Sequence, residues 1–374
     1  FFIPYTASGF AACGKLFSSL FGVKYLTAMI ISAIVIVAYT TLGGFLAAST
    51  TDFIQSIIMS VALIVVLIFG VETAGGIGAV IHNASELPGY LSMTLSYDVN
   101  TGKAAPYSAL TIVSTAAWGL GYFGMPHILL RFMAIEDEKK LKLSRRVATI
   151  WVVISLFVAV FIGVIGYTMS KVGALEMLTG SNSETIIVKI SALLSQHGVI
   201  FALLAGVILA GILASTMSTS DSQLLAASSA VSSDILGAFR KDSSNKNGSM
   251  AAARITLLVI SVVAAFIARN PDSSVFAIVS FAWAGFGAAF GPVVLFSLFW
   301  KRTNKWGALA GMVCGGSMVF IWKYLIRPLG GIWNIYELLP AFLIACAAIV
   351  IVSLLTPKPS KEIEEEFDRV AQMK

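Results

Sequence analysis

Residues 107–132 read YSALTIVSTAAWGLGYFGMPHILLRF. The stretch is long and apolar enough to cross a bilayer, whose hydrocarbon core needs ~20 residues of helix. Its middle, Trp118-Gly119-Leu120-Gly121-Tyr122-Phe123-Gly124-Met125-Pro126, packs three glycines and a proline into nine residues. Glycine raises the backbone-entropy cost of a helix, and proline removes a hydrogen bond and clashes with the preceding turn. A membrane helix weakened or interrupted halfway is therefore predicted. Membrane proteins use such breaks to expose backbone groups to substrates and ions. Trp118, Tyr122 and Pro126 are spaced i, i+4, i+8 and share one face of a helix. They offer two amphipathic rings and an apolar ring contact to a small zwitterion. A proline-kinked packing helix with aromatic core residues fits the same spacing, because glycine and proline are frequent in membrane helices. His127 reads as a packing residue.

The rest of the chain agrees with a membrane location. Of 374 residues, 57% are hydrophobic and 12% charged, against about 25% charged in soluble domains. Mean hydropathy is +0.89. About ten apolar segments of membrane-crossing length follow one another: 1–18, 25–48, 52–72, 107–132, 147–171, 195–230, 251–269, 275–300, 306–326 and 336–356. Helices satisfy their own backbone groups in lipid at these lengths, and no alternating ~10-residue segments suggest a β-barrel. An all-α integral membrane bundle is expected. Most of the 25 Lys and Arg fall in alternate loops (49–51, 131–146, 240–254, 301–305) and in the tail from 357. The positive-inside rule places those loops and the C-terminus in the cytoplasm. The net charge of +6 thus reflects topology, and no nucleic-acid partner is invoked. Residues 73–106 and 173–194 read as external loops, and 357–374 as a charged cytoplasmic tail. Cys13, Cys314 and Cys346 lie far apart in apolar segments and read as small buried hydrophobes, and the three histidines have no metal-ligand spacing. Phe1 already sits in an apolar run, so the chain is expected to be a fragment starting partway into a helix.

An ionisable residue in the bilayer is a functional hypothesis. Asp52 and Asp221 lie near or inside apolar segments without being plainly in a loop. Asp52 suits an N-cap of the third segment and, compatibly, a cation way-station at its inner mouth. Asp221 lies in Leu213–Asp234, LASTMSTSDSQLLAASSAVSSD. There Ser215, Ser218, Thr219 and Ser222 follow i, i+3, i+4, i+7 and form a hydroxyl stripe. Two readings fit. Small hydroxyl residues let membrane helices pack closely and hydrogen-bond. They also supply neutral oxygens, the ligand type a hard monovalent cation such as sodium prefers. The Gly43-Gly44-Phe45-Leu46-Ala47 run permits a bend or close approach and is weak evidence alone.

These motifs carry a resemblance. Tyr39 to Ala47 is similar to the end of a sodium:solute symporter signature, and Met217-Ser218-Thr219-Ser220-Asp221-Ser222-Gln223-Leu224-Leu225 resembles that family's sodium-site helix. WGLGYFGMPHILLRFMA (118–134), FAWAGFGAAFGPVVLFSLFWKR (281–302), FFIPYTASG at the start and TDFIQ at 51–55 resemble the bacterial sodium/proline symporters. The resemblance runs over essentially the whole chain. It implies a LeuT-like inverted-repeat helix bundle, with about ten transmembrane helices present of an expected thirteen. Residues 1–356 would form the transporter domain, lacking its first helices and unable to transport alone, with the second repeat at about 107–300. It implies that Ser218 and Thr219 ligate sodium by side chain and Ser215 by its carbonyl. Trp118, Tyr122, Pro126 and Tyr5 would line the proline pocket. Asp52 would lie on the inner sodium path, and Asp221 and Ser222 where some relatives have a second sodium site. The implied activity is sodium-coupled uptake of L-proline in a bacterial cytoplasmic membrane, with sodium as coupling ion and no cofactor or catalytic residue. A sodium symporter for pantothenate, a sugar or sialic acid is the first rival. A channel comes next, and an intramembrane enzyme ranks last because no Ser-His pair or paired aspartates with catalytic surroundings is evident.

Overall fold

The computed structural model describes residues 1–236 and 246–372, without the side chains of 43–45, 47 and 246–249. Most of the Gly43–Ala47 run, and Arg240, Lys241, Lys246 and Lys374 of the basic loops and tail, thus lie outside the described side chains. The helices are α1 (Phe2–Phe21), α2 (Tyr25–Thr73), α3 (Ile77–Ser85), α4 (Ala109–Ala116), α5 (Pro126–Met133), α6 (Leu141–Lys171), α7 (Ile186–Leu194), α8 (Val199–Ser229), α9 (Lys246–Ile267), α10 (Val275–Phe299), α11 (Lys305–Ile321), α12 (Leu338–Leu355) and α13 (Lys361–Gln372). A short antiparallel hairpin, Leu95–Asp98 with Lys103–Pro106, decorates the loop after α3. Among the described residues, eight stretches are long and apolar enough to cross a membrane. The two further segments expected are α1, which is diluted by polar and small residues, and 107–132, which breaks into pieces.

The chain divides into two units: Phe2–Pro106 with Ile135–Ile278, and Phe1 with Tyr107–Ala134 and Val279–Lys374. In the first, α1, the start of α2, α8 and α9 bury Phe10, Met29, Ile36, Leu224 and Ala264. The end of α2, α6, α7 and the start of α8 bury Val66, Ile162, Met169, Ile190 and Ile208. Lipid contributes no hydrophobic drive between helices, so small residues set the approach distance. A Cβ built on Gly211 of α8 would lie 2.7 Å from the Ala62 Cβ of α2, and one on Gly14 of α1 2.9 Å from the Met29 Cβ. Large apolar side chains such as Leu42, Phe157 and Val262 point outward, as a lipid-facing surface requires.

The loop expected at 49–51 does not exist. Helical backbone runs unbroken from Tyr25 to Thr73, since no proline interrupts it. Its axis cannot be straight, however. Ala62 packs at Gly211 while Tyr39 bonds Asp221. Those α8 positions are ~15 Å apart along the helix, whereas Tyr39 and Ala62 would be ~35 Å apart on a straight α2. The membrane-crossing windows are Tyr25–Leu42 and Ala48–Thr73, both within this one bent helix.

In the second unit, Ser108 caps α4 by accepting from Thr111 N–H at 3.2 Å. The chain tightens into a 3-10 turn over Ala117–Gly124, becomes extended at Met125 and restarts as α5 with Pro126 in its first turn. The glycines and proline thus break the helix as predicted. Gly307, Gly311 and Gly315 of α11 pack on Ser353, Ile349 and Ala345 of α12. The tail forms α13, which is tied down where Lys301 pairs with Asp368 at 2.6 Å.

Candidate functional site

The broken segment is held by α10 and the start of α12. The indole N–H of Trp283 donates to the Trp118 carbonyl at 2.9 Å. The Trp118 ring lies nearly parallel to Trp283, 5.3 Å between centroids, and to Tyr336, 6.0 Å. Tyr122 meets Trp283 edge-on at 4.8 Å. Tyr336 is fixed at both ends: its backbone N–H donates to Ser114 Oγ and its hydroxyl to the Ser280 carbonyl, each at 2.6 Å. Close approach depends on glycine. Any Cβ on Gly121 would run into the Trp283 indole, and one on Gly124 would lie 2.7 Å from the Gly291 nitrogen.

This arrangement corrects one expectation. The i, i+4, i+8 spacing aligns Trp118, Tyr122 and Pro126 on an α-helix, but residues four apart on a 3-10 turn point about 120° away from each other. What gathers Trp118 and Tyr122 is Trp283. Tyr122 is 45% exposed and Pro126 half-buried, so the aromatic surface stays open on one side. Tyr5 belongs to the other unit, buried in α1 with its carbonyl accepting from Ser8 Oγ at 2.6 Å.

The hydroxyl stripe lies in the middle of α8. Ser218 Oγ and Thr219 Oγ1 both donate to the Ser215 carbonyl, at 3.2 and 3.1 Å. Their hydrogens point into the helix, which leaves oxygen lone pairs free to face a cation. Three uncharged oxygens within one turn make a donor set that suits sodium. Ser215 is exposed, and Ser218, Thr219 and Ser222 are half-buried.

The neighbouring face of α8 is buried and acidic. Asp221 is fully buried. Its carboxylate accepts from the Tyr39 hydroxyl at 2.8 Å and from Ser222 Oγ at 3.3 Å, and Tyr39 also reaches the Met217 carbonyl at 3.2 Å. Asp52 interacts electrostatically with both Asp221 and Tyr39. It lies inside the continuous α2 and so caps no helix. Tyr39, Asp221 and Ser222 thus form one hydrogen-bonded cluster between α2 and α8, within the electrostatic reach of Asp52.

Sequence reasoning missed a third feature. Glu184, in the turn before α7, accepts from Lys15 Nζ at 2.7 Å, Ser274 Oγ at 2.8 Å, and the Val275 and Phe276 N–H groups at 3.3 Å. It caps α10 with a negative charge, as helix N-termini favour. Burial alone pushes the Glu184 carboxyl up, but these donors more than offset it and hold it below the usual carboxylate range. No local signal pointed to it, because all four donors are distant in sequence.

Comparison with known proteins agrees with this architecture. The model of the sodium:solute symporter family matches residues 1–315. An osmoregulated proline transporter of Bacillus subtilis is 38% identical over 96% of this chain and 70% of its own length. Sodium/proline symporters of Salmonella typhimurium and Haemophilus influenzae are 39% and 40% identical, over 98% and 99% of this chain and 70% and 71% of theirs. A sodium-coupled sialic acid symporter, solved in a substrate-bound outward-open state, superposes with a TM-score of 0.72 at 17% identity, over 96% of this chain and 74% of that one. The last likeness concerns the fold alone, a LeuT-like helix bundle. By the family match and by relatives aligned along nearly its whole length, the chain belongs to the sodium:solute symporter family.

Proposed function

We propose that this protein takes up L-proline together with sodium by alternating access across a bacterial cytoplasmic membrane, with its C-terminus in the cytoplasm. The observation that carries the reading is the helix break at Ala117–Met125, lined by Trp118 and Tyr122, in a chain whose relatives are named for proline transport. Ser218, Thr219 and the Ser215 carbonyl hold sodium. Trp118, Tyr122 and Pro126 receive the substrate. Asp52, Asp221 and Ser222 line the route by which sodium leaves.

Sodium bound on α8 pre-organises the substrate pocket. By linkage, substrate then improves sodium binding by the same factor. Each charge moved down a membrane potential supplies about 2.3 kcal/mol per 100 mV, which drives uptake against a substrate gradient. Neutral oxygens suit this cycle because the ion must be released inside.

The test is labelled proline uptake by the full-length protein in proteoliposomes under an imposed sodium gradient, with unlabelled proline, pantothenate, sugars and sialic acid as competitors. Saturable uptake that needs sodium and yields only to proline is expected. Uptake indifferent to sodium would refute the coupling. Displacement by another solute would reassign the substrate, and single-channel currents would point to a channel.

A further inference from the structure

Breaking a helix in a membrane leaves carbonyls without their usual partners, and nothing in lipid replaces them. The Trp118 carbonyl belongs to the residue whose ring is the first element of the pocket. Its partner comes from α10, the Trp283 indole N–H. The same indole stacks on Trp118 and meets Tyr122 edge-on. It is 6% exposed, so it is a wall of the pocket's support and not of the pocket itself. Gly121, between the two pocket aromatics, has room for a hydrogen only because the indole occupies the space a Cβ would take. Behind this, Tyr336 stacks on Trp118 and is anchored at its backbone and its hydroxyl.

We propose that Trp283 is a positioning residue for substrate recognition: by holding the Trp118 carbonyl and both pocket rings it fixes the shape of the broken turn, with Tyr336 as its brace. This rests on the proposed transport reading. A rigid aromatic bracket favours one compact, ring-shaped zwitterion over flexible or larger solutes, because the rings cannot move aside. The role differs from core packing in a measurable way. Core packing sets how much protein folds and how fast it works, whereas a bracket sets how tightly and how selectively substrate binds.

The test uses the full-length protein in proteoliposomes. Trp283→Phe keeps an aromatic ring and removes the N–H. The expected result is a proline KM raised about tenfold, the effect of losing one buried hydrogen bond. Maximal uptake per transporter should stay within about twofold, and sodium binding measured without proline should be unchanged. Discrimination against larger cyclic amino acids should fall in parallel. Tyr336→Phe, which frees the brace but keeps its stack, should shift KM the same way and less. Gly121→Ala, which pushes the indole off the turn, should match or exceed Trp283→Phe. An unchanged KM and selectivity in these variants, beside a wild type that takes up proline, would overturn the bracket, as would a loss confined to expression or maximal rate. If Trp283→Phe does not fold, the Tyr336→Phe and Gly121→Ala arms decide by the same criteria. A wild type without sodium-dependent proline uptake would instead sink the transport reading, and the bracket with it.

Discussion

Replacing Glu184 with Gln is expected to loosen the N-terminal end of α10 without unfolding the protein. The carboxylate accepts from Lys15, Ser274, Val275 and Phe276. An amide of the same shape offers one acceptor oxygen in place of two, so at least one donor must face an NH2 group. The charge at the helix N-terminus, about 0.3–1 kcal/mol at exposed sites, disappears. So does the pair with Lys15, whose side chains are 11% and 25% exposed and therefore better shielded than the surface pairs that contribute about 0–1 kcal/mol. A loss of about 2 kcal/mol follows, equivalent to about 30-fold more frequent local opening. Hydrogen–deuterium exchange of the full-length protein reads this directly. The peptide containing Val275, Phe276 and Ala277 should exchange about 30-fold faster in Glu184→Gln, while the middle of α12 stays as in the wild type. Lys15→Met should have a smaller effect on the same peptide. Since the folded carboxyl titrates below its ordinary value, its contribution is present above the ordinary carboxylate pKa and is lost as pH falls through the folded one. Wild-type protection at Val275 should decline only once the pH falls below the ordinary carboxylate range, and the Gln variant should show no such step. Equal exchange in wild type and variant at neutral pH would refute the capping argument.

Other expectations concern transport and packing. Ser218→Ala and Thr219→Ala should each raise the sodium concentration for half-maximal uptake about tenfold or more while leaving the competition profile intact; a changed profile with an unmoved sodium requirement would contradict their assignment. Trp118→Ala should weaken proline binding with little effect on sodium binding, measured by equilibrium binding of each. Gly211→Leu should destabilise the packing of α8 on α2 by about 1–3 kcal/mol or more, since even a Cβ would lie 2.7 Å from that of Ala62. Its thermal stability in detergent should fall well below that of Gly206→Leu, a position open to space.

The fold class was legible because the bilayer imposes a length and a composition on each crossing, and α6 or α12 can be read on those terms alone. The break at Trp118–Pro126 was legible because glycine and proline act locally. The continuity of α2 was not, since the Ala-Ser-Thr-Thr run at 48–51 resembles a loop yet is compatible with helix. The site was half legible. Ser215, Ser218 and Thr219 lie on one turn, so their spacing encodes their proximity. The partnership of Trp118 with Trp283 spans 165 residues and is decided by how α10 packs. Helical spacing even suggested the wrong cause for the nearness of Trp118 and Tyr122, because a 3-10 turn changes the angular step. The pairing of Tyr39 with Asp221 is hidden for the same reason as Glu184.

Helix α8 carries its polar residues on more than one side. Ser220 sits against Gly9 of α1, Asp221 against Tyr39 of α2, and the Ser215, Ser218 and Thr219 stripe occupies another sector. The helix is thereby locked in azimuth. Spinning it by one residue's worth of arc would strip Tyr39 of its acceptor, leave the buried Asp221 carboxylate without that donor and drive Ser220 from its seat at Gly9, and a buried polar group without a partner is costly. On the proposed sodium reading, the three oxygens travel with α1 and α2 as one body or are left by the ion in place, because turning away from it is the escape this packing opposes.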